Sequence, residues 1–170
     1  VVREPHESLA AAFNSEIAKC AGDIICLMHN DVEVPKDWNV PLEERAPDGF
    51  VFPKVTVPDG AGAPQHGRYP SSCCYIFSRD IYDDVGGFDE QFKGWHFEDN
   101  DFWIRGLKMG LGLIEVPDVE VLHTRGATRR QPPLPPMNAI DHAYMRENSV
   151  RYAMKHAQGR RELVLPVFPG

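Results

Sequence analysis

The 170-residue sequence predicts a mixed α/β domain, with strands alternating with helices around one sheet. Three observations lead there. Leu9, Phe13, Ile17 and Cys20 recur at helical spacing, and Glu98–Leu107 and 139–157 give further helical patterns. Between them stand apolar runs too short to be helices, such as Asp23–Met28 and Ser72–Phe77. Several of these runs stop abruptly at polar residues, as at His29-Asn30-Asp31, which is where open α/β sheets place their ligands.

Taken in order, residues 8–20 form a helix with Ser8 as N-cap and Gly22 just past its end. Asp23–Met28 reads as a strand buried on both faces, as in a parallel sheet covered by helices. Residues 35–48 read as a short irregular helix and loop anchored by Trp38. A strand follows over 50–57, which Pro53 pushes toward an edge or a bulge. The Gly- and Pro-rich stretch 58–70 reads as a mobile surface loop. Ser72–Phe77 is another strand, Ser78 caps a short helix over 79–85, and Gly86-Gly87-Phe88-Asp89-Glu90 is a turn that needs glycine's freedom. The helix from Glu98 closes at Gly110, and residues 112–122 suggest one or two short strands ending at His123. A Pro-rich link over 131–136 leads to a last helix, whose Ala143, Tyr144, Val150 and Met154 are expected to cover the sheet. The expected division is a core over 1–130 and a link with a packing helix over 131–170.

Composition narrows the partners. Hydrophobic residues make up 42% and charged residues 25%, ordinary for a globular domain and unlike a disordered chain. Eighteen Lys and Arg against 25 Asp and Glu give a formal charge of -7, which argues against a general nucleic-acid binder. A small phosphorylated ligand stays compatible with that charge if a metal ion screens the repulsion. The four cysteines show no C-x-x-C pair and no zinc spacing, so Cys26, Cys73 and Cys74 are expected as buried free thiols. No run approaches the ~18 apolar residues of a membrane span and no stretch reads as a secretory signal. The expected location is cytoplasmic, with peripheral attachment to a membrane or assembly left open.

Three clusters could carry chemistry: His29-Asn30-Asp31-Val32-Glu33, Glu98-Asp99-Asn100-Asp101, and His123. A carboxylate released at a buried strand end suits a divalent cation, although Asp31 and Glu33 can equally be acids that solvate a turn. His123 can be a ligand or a hydrogen-bonded loop residue. Arg125, Arg129 and Arg130 behind it can meet phosphate oxygens or form a solvated basic turn. Acids at 98, 99 and 101 stabilise a helix start without any catalytic purpose. Their crowding can also lift one carboxyl toward a general base's range, beside the aromatic wall of Trp95, His96 and Phe97. Cys73 and Cys74 have no recognisable partner base.

The order of these clusters resembles the family 2 glycosyltransferases of GT-A fold over most of residues 8–155. The matching segments are AAFNSEIAKCAGDIICLMHNDVEVPKDW (11–38), SSCCYIFSRDIYDDVGGFDEQF (71–92), FEDNDFWIRGLKMG (97–110) and VEVLHTRGATR (119–129). The resemblance implies a GT-A, Rossmann-like mixed sheet flanked by helices. It also implies metal-dependent, inverting transfer of a sugar from a nucleotide-diphosphate donor to a carbohydrate or other hydroxyl acceptor. It places Mn²⁺ or Mg²⁺ on Asp31 with His123, with Glu33 as a compensating acid, because His29 and Asn30 stand where the family's motif has its other acid. Asp99 is the implied base with Glu98 beside it. Donor and acceptor contacts fall to Asn14, Asn30, Gly86, Gly87, Trp95, His96 and Arg125, and the 58–70 loop joins Trp95 in shaping the acceptor pocket.

One departure affects all of this. The chain starts at Val1-Val2-Arg3-Glu4-Pro5, about where the family's third strand stands, and nothing in it matches the half that cradles the nucleotide base. The expectation is an N-terminally truncated GT-A domain, either a fragment or a shortened version, with a sheet edge that a partner chain or second copy would cover. The alternative function is an inactive GT-A-like carbohydrate-binding or assembly module. A metal-dependent phosphohydrolase fits the acids but not the order of the motifs.

Overall fold

The computed structural model describes residues 8–57, 70–124 and 139–157. The expected mobile loop, all but Pro70 of it, lies outside these residues. So do the Pro-rich link, Arg125, Arg129, Arg130 and the N-terminal Val1–Pro5. The chain divides into two compact units, one of 21–87 with 103–136 and one of 1–20, 88–102 and 137–170.

The first unit is built on a five-stranded mixed sheet in the order β1-β4-β3-β5-β2. Its strands are β1 (Ile24–Met28), β2 (Val32–Glu33), β3 (Gly49–Thr56), β4 (Cys74–Ser78) and β5 (Gly112–His123). β4 runs antiparallel to both β1 and β3, β5 runs parallel to β3, and β2 is antiparallel to β5. β3 is the buried centre. Val51 faces Leu42, Ala46, Ile76 and Val119 on one side, with Trp38 packed against them as an anchor. On the other side Phe52 stacks on Tyr75 at 5.4 Å and meets Trp103 edge-on at 5.1 Å. Pro53 sits in this central strand because the ladder shifts register between Pro53 and Lys54, so the bulge absorbs the lost donor.

Two expectations fail here. β1 is not buried on both faces of a parallel sheet. It is the terminal strand, antiparallel to β4, and Cys26 and Met28 are exposed. An unbroken apolar run records affinity for an interior but not how many neighbours the strand finds. Cys73 and Cys74 are buried as expected, whereas Cys26 is an exposed thiol on that edge.

Short helices α2 (Val40–Glu43) and α3 (Arg79–Val85) belong to the same unit. Ser78 caps α3 by accepting the Ile81 N–H, and Gly86 ends it in the left-handed region at φ 87°. Arg105 then donates to the carbonyls of Val85 and Gly87 at 2.6 and 2.5 Å, fastening that turn.

The second unit contains α1 (Leu9–Lys19), the turn 88–97, the first residues of α4 (Glu98–Lys108) and α5 (Ala139–His156). Ser8 caps α1 by accepting the Ala11 N–H at 3.1 Å, as its sequence suggests. Val150 and Met154 of α5 are 53% and 72% exposed and Ala143 is exposed, so the face expected to be the packing face is open. The face that packs carries Tyr144, Asn148, Tyr152 and His156, at intervals of four residues. Polar and aromatic groups took that stripe because their contacts are hydrogen bonds and ring faces, which a count of apolar residues does not register. No helix among the described residues is long and apolar enough to cross a membrane.

β3 and β5 lie close together where they begin, at Gly49 and Gly112. A Cβ on Gly49 would stand 2.3 Å from the Gly112 carbonyl oxygen, against backbone that cannot swing aside. Gly49→Ala is expected to destabilise the domain by about 1–3 kcal/mol through overpacking, read as a lower urea midpoint at unchanged slope.

Candidate metal centre and acidic turn

β1 releases the chain at His29, whose backbone N–H donates to the Cys73 carbonyl at 2.8 Å just ahead of β4. A tight turn follows, closed by the Val32 N–H on the His29 carbonyl at 3.3 Å. β2 then pairs Val32 with His123 and Glu33 with Leu122, and the Thr124 N–H donates to the Asp31 carbonyl at 2.9 Å. This pairing brings residues distant in sequence together. His123 Nε2 lies 3.2 Å from Asp31 Oδ1, with side chains only 12% and 10% exposed. The His29 ring stands edge-on to His123 with centroids 5.4 Å apart. One ligand atom from each of His29, Asp31 and His123 falls within 4.8 Å of the others.

Two imidazole nitrogens and a carboxylate oxygen converging in this way fit a divalent metal. The mixed N/O set suits Mn²⁺ and its transition-metal neighbours better than Mg²⁺, which favours oxygen ligands. Three protein ligands leave further positions for a ligand's oxygens. Asp31 and His123 thus meet as the sequence suggests, and His29 joins them. At the sequence level His29 reads as the loss of an acid. Its presence two residues before Asp31 at a strand end is the signal that it could meet Asp31 and His123. Glu33 lies exposed, lining a shallow groove with Thr56, Val121 and Glu120, and is not among the three convergent residues. Asn30 is exposed in the turn between His29 and Asp31.

In the second unit, Asn14 uses both ends of its amide on the turn ahead of α4. Its Oδ1 accepts the Phe88 N–H at 2.9 Å, and its Nδ2 donates to the Phe88 carbonyl and to Glu90 Oε1, each at 2.9 Å. Further along, Trp95 and His96 stack at 5.8 Å, and His96 and Phe97 both take left-handed backbone, φ 82° and 75°. Consecutive non-glycine residues in that region are strained, and such strain tends to gather at functional turns.

The acids that follow have different fates. Asp99 is partly exposed and Asp101 fully buried. Asp101 accepts from Lys155 and meets His156 Nε2, each at 2.8 Å, and Lys155 also reaches Asp89 at 2.6 Å. Glu98 is 5% exposed, and its Oε2 accepts no hydrogen bond from the described residues. Burial first, and then the charge of Asp99, push its carboxyl up to about 8, opposed by backbone N–H groups of Glu98 and His96. The raised proton affinity that the sequence suggests through crowding is found on Glu98, with burial as its larger cause and the charge of Asp99 second.

A family model described as the N-terminal domain of galactosyltransferase matches residues 62–128. Among solved structures, GalNAc-T7 with UDP, GalNAc and Mn²⁺ superposes with TM-score 0.60 at 14% identity, over 96% of this chain and 46% of that one. The mannosyltransferase PcManGT from Pyrobaculum calidifontis, in complex with GDP-Man and Mn²⁺, gives TM-score 0.54 at 16% identity, over 91% of this chain and 56% of that one. The chain has the GT-A fold. It spans about half the length of these two GT-A structures. It is also 28% identical to the uncharacterized protein y4gI of Sinorhizobium fredii (strain NBRC 101917 / NGR234), across 71% of this chain and 17% of that protein.

Two outcomes follow from the geometry of these residues. Asp31→Ala is expected to weaken Mn²⁺ binding at least about tenfold by calorimetry, and His29→Ala to do likewise, while Glu33→Ala leaves it within twofold. For Glu98, the folded state favours the neutral carboxyl, whereas the unfolded chain ionises near 4.5. Stability therefore falls as pH rises from about 4.5 through about 8, by on the order of a few kcal/mol. Glu98→Gln is expected to flatten that decline, read from urea midpoints at pH 5 and pH 8.

Proposed function

We propose that the chain is the metal-binding and acceptor-side part of a metal-dependent, inverting glycosyltransferase of the family 2 type. The donor is a nucleotide-diphosphate hexose and the acceptor a carbohydrate or other hydroxyl compound. The observation that carries this reading is the His29–Asp31–His123 group at strand ends of a GT-A sheet. Both superposed GT-A structures are complexes with Mn²⁺ and a nucleotide or nucleotide sugar. Cytoplasmic location, at a membrane surface or free, belongs to the same proposal.

His29, Asp31 and His123 would hold Mn²⁺, which when bound supplies positive charge against a leaving diphosphate. Asp99 accepts the proton of the acceptor hydroxyl as that oxygen attacks the anomeric carbon. The bond from that carbon to the diphosphate oxygen breaks, and the configuration inverts. Glu98, neutral at pH 7, offers a hydrogen-bond donor beside that base rather than a second negative charge. Trp95 and His96 present ring faces for a sugar. Asn14, Gly86 and Gly87 shape the turns leading to this site, and Arg125 offers a cation for the diphosphate.

The decisive experiment incubates the protein with Mn²⁺ and UDP- or GDP-hexoses and measures transfer and donor hydrolysis. Asp99→Asn is expected to lower turnover by about 10²–10⁴-fold while Mn²⁺ binding stays unchanged. Near wild-type turnover in that variant would remove the base assignment. Absence of both nucleotide binding and turnover would favour a GT-A module that binds carbohydrate or a partner without transfer.

A further inference from the structure

We propose that Asn148, on α5, is a positioning residue that holds the left-handed turn ahead of Glu98 and Asp99 in its working conformation. This rests on the assignment of Asp99 as base, and it concerns a residue distant in sequence from the acidic cluster.

The carboxamide is 1% exposed and engaged at both ends. Its Oδ1 accepts the Lys93 N–H at 3.2 Å. Its two N–H bonds are shared among the carbonyls of Lys93 at 2.8 Å, His96 at 3.1 Å and Trp95 at 3.4 Å. One side chain therefore satisfies four backbone groups of a turn that makes no regular ladder of its own. These are the residues that lead into the strained pair His96 and Phe97. Strained backbone persists only where its surroundings over-determine it, and Asn148 supplies the side-chain hydrogen bonds that do so at Lys93, Trp95 and His96.

The neighbours of Asn148 on α5 extend the same support. One helical turn earlier, Tyr144 lies against Gly94, where a Cβ would come within 2.9 Å of the ring. Gly94 itself has φ 64° and lends its carbonyl to the Leu9 N–H at 2.7 Å. One turn later, Tyr152 packs on Phe97 at 5.4 Å. Three successive contacts thus fix both ends and the middle of the turn. The left-handed His96 also supplies an N–H to the Glu98 carboxyl, so the environment of that acid depends on the conformation Asn148 holds. Generic packing would place a leucine at such a buried position. An amide suits the place because it offers two N–H donors and a carbonyl acceptor at once, and the turn uses all three.

The test uses the full chain carrying Asn148→Leu, which keeps the branched shape without the polar atoms, and Asn148→Asp, which replaces the donors with an anion facing three carbonyls. Thermal melting and Mn²⁺ titration show which variants retain the fold and the His29–Asp31–His123 group. In those that do, carboxyl ¹³C NMR of Glu98 reads the turn directly. Release of the turn opens the Glu98 carboxyl to water. Because burial is the largest cause of its raised midpoint, that loss outweighs the departing His96 N–H, and the midpoint is expected to fall from about 8 toward the ordinary value near 4.5. An unchanged midpoint in a folded variant overturns the proposal. Turnover is expected to drop about 100-fold with KM within threefold, the signature of a misplaced reacting group. If the wild type transfers no sugar, the functional reading fails while the NMR result still decides the role of Asn148. Should both variants unfold, hydrogen exchange in the unaltered protein decides instead. The Lys93 amide must exchange as slowly as the amides in the middle of α5, and fast exchange overturns the proposal.

Discussion

Two residue pairs, Val32 with His123 and Glu33 with Leu122, fix the chemistry-bearing end of the sheet. A two-residue strand is a weak element by itself, and it persists because β5 supplies a long template already paired to β3. That pairing, with the Thr124 N–H on the Asp31 carbonyl, sets an imidazole 3.2 Å from a carboxylate in a mostly buried position. Polar groups withdrawn from water in this way need a partner that offsets their desolvation. A divalent cation is one such partner, which is why the geometry, and not the mere presence of acids, supports a metal site.

The unit that holds Asp99 is organised by a different device. Its turn 88–97 has little regular structure, and its backbone groups are satisfied by side chains from flanking helices: Asn14 at Phe88, Asn148 at Lys93–His96. Asp101, fully buried, needs Lys155 and His156 to remain in place. Removing either side of such an arrangement leaves an unsatisfied group behind, so α5 is as much a part of the acidic turn as the turn's own sequence. Left-handed residues, a buried neutral-leaning acid and a partly exposed neighbour occur within four positions. That concentration of locally unfavourable choices lies at the turn proposed to carry the base.

Much of the fold was readable from local signals. Ser8 and Ser78 cap the helices they precede, Gly86 ends α3, and the Pro53 irregularity falls where the proline demands it. The helices and strands also follow in the expected order. What was misread shares one cause. Cys26 and Met28 look like core residues because they are apolar, but their burial depends on a neighbouring strand on that side of β1. Val150 and Met154 look like a packing face for the same reason, whereas α5 packs through an amide, two aromatic rings and an imidazole. His29 reads as a lost acid because a motif is compared letter by letter, while coordination asks only for a lone pair at the right place.

Taken alone, the sequence determined the alternation of helix and strand, the position of caps and turns, and which residue types could bind a metal or take a proton. These properties depend on neighbours a few residues away and on side-chain chemistry. Only the tertiary structure decided that His29 belongs with Asp31 and His123, that burial raises the proton affinity of Glu98, and that Asn148 meets the turn ahead of that acid. Each of these depends on strand register or helix rotation between segments far apart in the chain. Register and rotation come from the summed pairing of whole elements, so no single residue records them.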